Sequence, residues 1–366
     1  MYELKYGAES CIIIRTVKFQ ERQIGAKHMR KNHEISSKTP LLKDDGSLNE
    51  PGFCKRMLYE YDRNAVKGNP LRIKEWDFYQ ILSGEYMVQF IIFDISFGGA
   101  ANINIINLKS GKREEFLSLK PFTAGKLGLE NNTELPHKVF YINKNFEMSV
   151  EYAGNKRILR AYKKDEVDCD ITLSEFDGHE SLVMAVPFNK KTQFYLNQKI
   201  NCMAASGFCK VRGLKAEFDP QKDFGLLDWG RGVWPYKCSW YWGNGSSRLD
   251  DGRVFGFEIG WGFGNMRAAS ENMLFIDGKA HKIGDVYLKK DKSDWMKPWY
   301  FTSDDGRFDM TMTPVFDNYT SSRVGAVGNI CHQVFGIFNG YAVLDGGEKI
   351  EVKDMLSFTE MSDNRW

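Results

Sequence analysis

The chain has 366 residues, of which 42% are hydrophobic and 14% aromatic, enough length for two or three domains and enough apolar surface for a sizeable core. Its 50 basic and 48 acidic residues are mixed along the chain, so no one-signed field directs it to nucleic acid or to a membrane surface. No apolar run reaches the roughly 18 residues of a membrane helix, the start lacks a secretory pattern, and the seven cysteines are scattered without a C-x-x-C pair. Together these features predict a cytoplasmic protein with reduced thiols.

Residues 1–70 are polar and rich in turn signals, with a basic cluster from His28 to His33. They read as an arm that packs on the first domain. From Trp76 onward the pattern becomes strand after strand. The runs are Tyr86 to Phe97, Ile103 to Leu108, Val139 to Ile142, Phe146 to Tyr152, Arg157 to Tyr162, Leu182 to Pro187 and Gln193 to Leu196. They are rich in β-branched and aromatic residues, and Ala153-Gly154-Asn155 supplies a hairpin turn.

The second half repeats the first in outline. Trp76 corresponds to Trp240, and Phe90 to Phe97 corresponds to Phe255 to Phe263. Asn145 to Val150 matches Arg307 to Met312, and Phe194 to Ile200 resembles Ala342 to Ile350. Short strands with tight turns, given twice, predict an all-β protein of two tandem antiparallel β-barrels. The arm spans 1–70, the first barrel 71–208 and the second 209–366, with the joint near Ser206 to Gly213.

The densest chemistry lies in Asp228-Trp-Gly-Arg-Gly-Val-Trp-Pro-Tyr-Lys-Cys-Ser-Trp-Tyr-Trp242, assigned here to the second barrel. Gly230 and Gly232 bracket Arg231 in an expected turn, where Asp228 and Arg231 form an ion pair. That pair serves a ligand or pins a loop with equal ease. Trp229, Trp234, Trp240 and Trp242, with Tyr236 closing the motif, wall a ligand or pack a core. Trp240 and Trp242 share one face of a strand.

In Val254-Phe-Gly-Phe-Glu-Ile-Gly-Trp261, Phe255, Phe257, Ile259 and Trp261 share one face, and Val254, Gly256, Glu258 and Gly260 the other. Glycines two residues to either side leave space around Glu258, which suits a general acid at a cavity wall; a solvated outer face is the plainer alternative. Glu271-Asn272 offers a second carboxyl and an amide. His332 opens a later strand and is a further ligand contact or a structural histidine. No histidine or cysteine spacing supports a metal site, and no phosphate loop, dinucleotide fingerprint or G-x-S-x-G is present, so no cofactor is expected.

Leu227-Asp-Trp-Gly-Arg-Gly-Val-Trp-Pro-Tyr236, followed by Trp240-Tyr-Trp-Gly243, resembles the hallmark of the bacterial "domain of unknown function 2804" family. Pro40-Leu-Leu-Lys-Asp-Asp-Gly46, Lys74-Glu-Trp-Asp77, Glu271-Asn272 and Gln333-Val-Phe-Gly336 carry the same resemblance. More remotely, Asp228, Trp229-Gly230, Trp240-Tyr-Trp242 and Leu249-Asp-Asp-Gly252 are similar to tandem-lipocalin proteins of the carotenoid 1,2-hydratase (hydroxyneurosporene synthase) and AttH type. Those relatives carry an acid between the two tryptophans where this chain has Tyr241, so their hydration chemistry is not carried over. The resemblance implies two lipocalin-like barrels with an apolar cavity.

Three functions fit these residues. The first is a cofactor-free acid/base enzyme of hydratase, isomerase or cyclase type, using Asp228, Glu258 or Glu271, with Arg231 orienting the substrate. The second is a carrier of a hydrophobic metabolite, and the third a carbohydrate-active enzyme with paired carboxylates. Each takes a small molecule as partner, the first two an apolar one. The sequence leaves oligomeric state open.

Overall fold

The computed structural model describes residues 32–325 and 327–365. Cys11 and residues 28–31 of the basic cluster lie outside them. The chain forms two tandem lipocalin-like antiparallel sheets, preceded by an arm of short strands. Ile35, Leu41, Met57, Tyr59 and Tyr61 of the arm add buried side chains to the core of the first barrel, and Gly52–Cys54 pairs with Leu182–Pro187. No helix among the described residues is long and apolar enough to cross a membrane.

The first sheet runs from the edge strand Arg113–Pro121 through Gly98–Asn107, Tyr86–Asp94, Ile73–Leu82, Phe224–Val233, Phe194–Val211, Val167–Ser174, Lys156–Lys163 and Phe146–Ala153 to His137–Asn143. Its two edges meet through side chains. The Tyr141 hydroxyl donates to the Ser118 carbonyl at 2.8 Å and Asn143 Nδ2 to the Leu119 carbonyl at 3.1 Å. The expected hairpin at Gly154-Asn155 is present, with φ of +59° and +60°, as a two-residue turn of this hand requires.

The second sheet runs Lys279–Lys282, Met273–Ile276, Val254–Trp261, Lys237–Arg248, Lys349–Arg365, Val327–Val343, Phe308–Val324, Trp299–Ser303, Val286–Lys289. Its edge strands are consecutive in the chain, so the sheet curls round on itself. Phe255, Phe257, Phe301 and Phe338 fill the inside, and this barrel is packed with side chains.

The two sheets share one strand order, and within it Trp76 and Trp240 stand on equivalent strands, as do Phe90 and Phe257. The match of 145–150 to 307–312 does not hold. Phe146–Ala153 is second from its edge, whereas Phe308–Val324 is third. The first sheet also has one strand more on this path. Phe224–Val233 is inserted between Ile73–Leu82 and Phe194–Val211, whereas Lys237–Arg248 and Lys349–Arg365 pair directly in the second.

That insertion corrects the expected joint. The segment from Ser206 belongs to a strand of the first sheet that turns at Arg212-Gly213. The chain crosses to the second sheet only after Val233, so Asp228 to Arg231 lies in the first sheet and on a strand, not in a turn of the second. The glycines serve close packing. A Cβ on Gly230 would overlap the ring of Trp76, which sits directly opposite, and one on Gly232 would overlap the Phe194 carbonyl.

Strand alternation then gives every strand at the seam an inner and an outer face. In the first sheet, Leu227, Trp229 and Val233 point inward. In the second, Val254 faces the seam between the sheets while Phe255, Phe257 and Ile259 point inward. Two apolar clusters cement the seam. One joins Leu182, Met184 and Tyr195 to Phe263, Met273 and Phe275, and the other joins Met87, Ile106 and Leu226 to Trp242, Phe335 and Phe358. Gly230→Ala is expected to cost about 1–3 kcal/mol, because the new methyl forces Trp76 away from Tyr195 and Trp234, 5.9 and 4.9 Å distant between ring centroids. Urea denaturation measures the loss.

Candidate functional site: an acidic cleft between the sheets

Between the two apolar clusters lies a cleft lined by Trp76, Tyr195, Lys199 and Asp228 of the first sheet and Trp240, Trp242, Phe263, Glu271 and Glu360 of the second. The space that a water-sized molecule can occupy in it is small, about 40 Å³, and it opens to solvent. The expected hollow inside the second barrel is therefore replaced by one outside both barrels. The outer faces of the strands meet there, while the barrel interior is filled by phenylalanines.

Strand register builds each half. Lys199 and Asp228 are direct cross-strand neighbours, and their side chains pair at 3.1 Å. Asn197 Nδ2 also donates to Asp228, at 2.5 Å. The Lys199 ammonium lies 4.0 Å from the centroid of the Trp242 ring. Burial pulls this ammonium down, but Asp228, Glu271 and Glu258 outweigh burial and hold it above its ordinary value. On the other side, Trp240 and Trp242 share a strand face as their spacing predicts. Trp242 opposes Glu360, and the Trp240 indole donates to Glu360 at 2.9 Å. Gln333 donates to the second oxygen of Glu360 at 3.3 Å, within an amide network that includes Gln80 and Gln89 of the first sheet.

Glu258 sits just behind the cleft. One carboxyl oxygen accepts from Trp242 Nε1 at 2.6 Å and the other from Asn244 Nδ2 at 2.6 Å. Its flanking glycines leave no open space. A Cβ on Gly256 would strike Cys202 and Asn201, which bulge from the first sheet, and one on Gly260 would strike the carboxyl of Glu271. Burial pushes Glu258 up to about 8 against the pull of Lys199 and its two hydrogen bonds. Burial pushes Glu360 up to about 7, opposed by the bond from Trp240. Glu271 is raised by burial too, with Lys199 opposing.

The expected pair of Asp228 with Arg231 does not form. Residues three apart on a strand point to opposite faces. Arg231 projects into the first barrel, where it donates to Asp77 at 2.9 Å, lies 3.6 Å from Glu130 and stacks on Trp229. Burial and the adjacent Glu130 hold Asp77 above the usual carboxylate range. Trp229 is buried in the same interior against Tyr61. Arg231 and Trp229 are therefore core groups of the first barrel rather than contacts to the cleft. Trp234 stands behind the cleft wall, edge-on to Trp76 and Phe263. Tyr236 is exposed and outside the lining. His332 faces away from the cleft, bonded to Asp317 at 2.7 Å and stacked on Trp295.

Of the ten residues singled out from sequence, the structure brings Asp228, Glu271, Trp240 and Trp242 to one cleft, with Glu258 and Trp234 directly behind it. Lys199, Glu360, Trp76, Tyr195 and Phe263 were not foreseen. For Lys199 a signal existed. Tyr195, Asn197 and Lys199 alternate along the strand, and three polar groups on one face mark a face that does not belong to an apolar core.

The fold and the cleft together define a tandem lipocalin-like protein with an acidic, aromatic site between its sheets. The chain belongs to the family described as "Domain of unknown function (DUF2804)", whose model matches residues 32–366. Among solved structures it is similar to CghA with Sch210972, at 12% identity and a TM-score of 0.52 over 89% of this chain and 97% of that one. It is also similar to kievitone hydratase from Nectria haematococca, at 13% identity and a TM-score of 0.48 over 92% and 98%. A protein described as an AttH from Nitrosomonas europaea matches at 13% identity and a TM-score of 0.44 over 82% and 96%. No curated protein matches the chain.

The raised carboxyls tie stability to pH. Between the unfolded value of 4.5 and its folded value of about 8, Glu258 holds its proton in the native state and loses it on unfolding. The native state then binds more protons, so its stability falls as pH rises through this window, by about 1 kcal/mol per pH unit for such a group. Denaturation of Glu258→Gln at a series of pH values is expected to show a shallower fall than the wild type between pH 5 and 8.

Proposed function

We propose that the chain binds a small, largely apolar molecule in the cleft between its sheets and acts on it as a cofactor-free acid/base enzyme. One observation carries the reading. Glu360 lines an aromatic cleft, is fixed there by Trp240 and Gln333, and is pushed up to about 7. A carboxyl poised there is half protonated at neutral pH, where a proton is transferred with least compromise between availability and driving force.

The other lining residues fit the same chemistry. A proton given by Glu360 to a double bond or a carbonyl oxygen leaves positive charge on the ligand. The faces of Trp76, Trp240 and Trp242 stabilise such charge. Asp228, held by Lys199 and Asn197, presents a fixed carboxyl to receive a proton from the ligand or to activate an added water. The outcome is isomerisation in the first case and hydration in the second. CghA, whose fold this chain shares, has been seen with the small molecule Sch210972, which supports reading this fold as one that holds small organic ligands.

The test is an untargeted one. Wild-type protein and Glu360→Gln are incubated with a small-molecule extract of the source cells and followed by mass spectrometry. The wild type is expected to convert one compound into an isomer or a hydrate. Glu360→Gln is expected to slow the conversion by about 10²-fold or more, and the wild-type rate to fall as pH rises above about 7, where Glu360 gives up its proton. A compound that binds and is never converted identifies a carrier instead.

A further inference from the structure

Among the described residues, Glu271 is the carboxyl of the cleft that accepts no hydrogen bond, although the charges of Lys199 and Lys282 act on it. It is 4% exposed, and its oxygens accept no hydrogen bond from any described residue. The fold makes room for it at a cost. A Cβ on Gly260 would overlap one of its oxygens, so the strand carries a glycine where the carboxyl lies. A buried carboxyl with no donor is expensive, and Glu271 opens into the cleft, where a ligand can supply one.

The charges around it select the donor. The Lys199 ammonium is engaged on two sides, by Asp228 at 3.1 Å and by the face of Trp242 at 4.0 Å. Asp228, Glu271 and Glu360 line the cleft together, so an anionic ligand meets three acids and a lysine already paired. A ligand cation meets the reverse: a carboxyl in Glu271 that accepts no hydrogen bond from a described residue, and the rings of Trp76, Trp240 and Phe263 for its charge. Two ammonium groups are then each matched by a carboxylate, Lys199 by Asp228 and the ligand by Glu271. A charged N–H donor also makes the stronger hydrogen bond to a carboxylate.

We infer that the ligand of the cleft is an apolar molecule bearing a basic amine, and that Glu271 is the residue that binds the ammonium. The inference rests on the reading of the cleft as a small-molecule site and narrows it to one class.

Three probes share a skeleton and differ only at the head: geranylamine, geraniol and geranate. Binding is followed by calorimetry and by quenching of tryptophan fluorescence. Geranylamine is expected to bind at least tenfold more tightly than geraniol, and geranate more weakly than either. Glu271→Gln is expected to remove the advantage of the amine over geraniol. Gly260→Ala, which displaces the Glu271 carboxyl, serves as the second variant and is expected to do the same. Equal binding of amine and alcohol, or a preference that survives both variants, overturns the inference while the cleft remains a ligand site. Failure of all three probes to quench the wild type overturns the cleft reading and the inference with it.

Discussion

Carboxyl groups placed between two sheets have little water to ionise into. Asp228, Glu258, Glu271 and Glu360 meet at the seam, and Lys199 is the ammonium that lines the cleft with them. The acids cannot all be matched by it. Glu258 and Glu360 are pushed up to about 8 and about 7, and Glu271 rises as well. Lys199 itself is held charged by the acids it serves. A protein optimised for stability alone would fill such a seam with hydrophobic side chains.

The fold sustains the imbalance by division of labour between the two faces of each strand. Inner faces are packed with phenylalanine, isoleucine and leucine. Outer faces carry tryptophans and acids toward the opposite sheet. Apolar clusters on either side of the cleft hold the sheets together. The inserted strand Phe224–Val233 is what brings Asp228 to the seam opposite Lys199, and the same strand sends Arg231 into the first barrel to hold Asp77 and Glu130. One motif therefore performs two jobs on two faces.

The sequence made some of this legible and hid the rest for physical reasons. Alternation in Val254 to Trp261 placed Glu258 opposite the phenylalanine face, and the structure puts it there. The spacing of Trp240 and Trp242 placed both on one wall. The glycines around Arg231 read as a turn because close packing and turn-making call for the same residue. Here the ring of Trp76 occupies the space above Gly230. That misreading produced the false pair of Asp228 with Arg231. The location of the cavity was also beyond reach. Periodicity separates two faces of a strand but does not say which face meets another sheet. Glu360 was missed because a single glutamate in Phe358-Thr-Glu-Met361 carries no motif. Its role comes from Trp240, which is 120 residues away in the chain and donates to it.

The central claim is that burial at the seam raises Glu258 and Glu360 so far that they titrate near neutral pH. Carbon-13 NMR of the glutamate side-chain carboxyls, followed from pH 4 to pH 10 and assigned with Glu258→Gln and Glu360→Gln, tests it most directly. Midpoints near 8 for Glu258 and near 7 for Glu360 are predicted. Titration of both near the ordinary value of 4.5 would contradict the account.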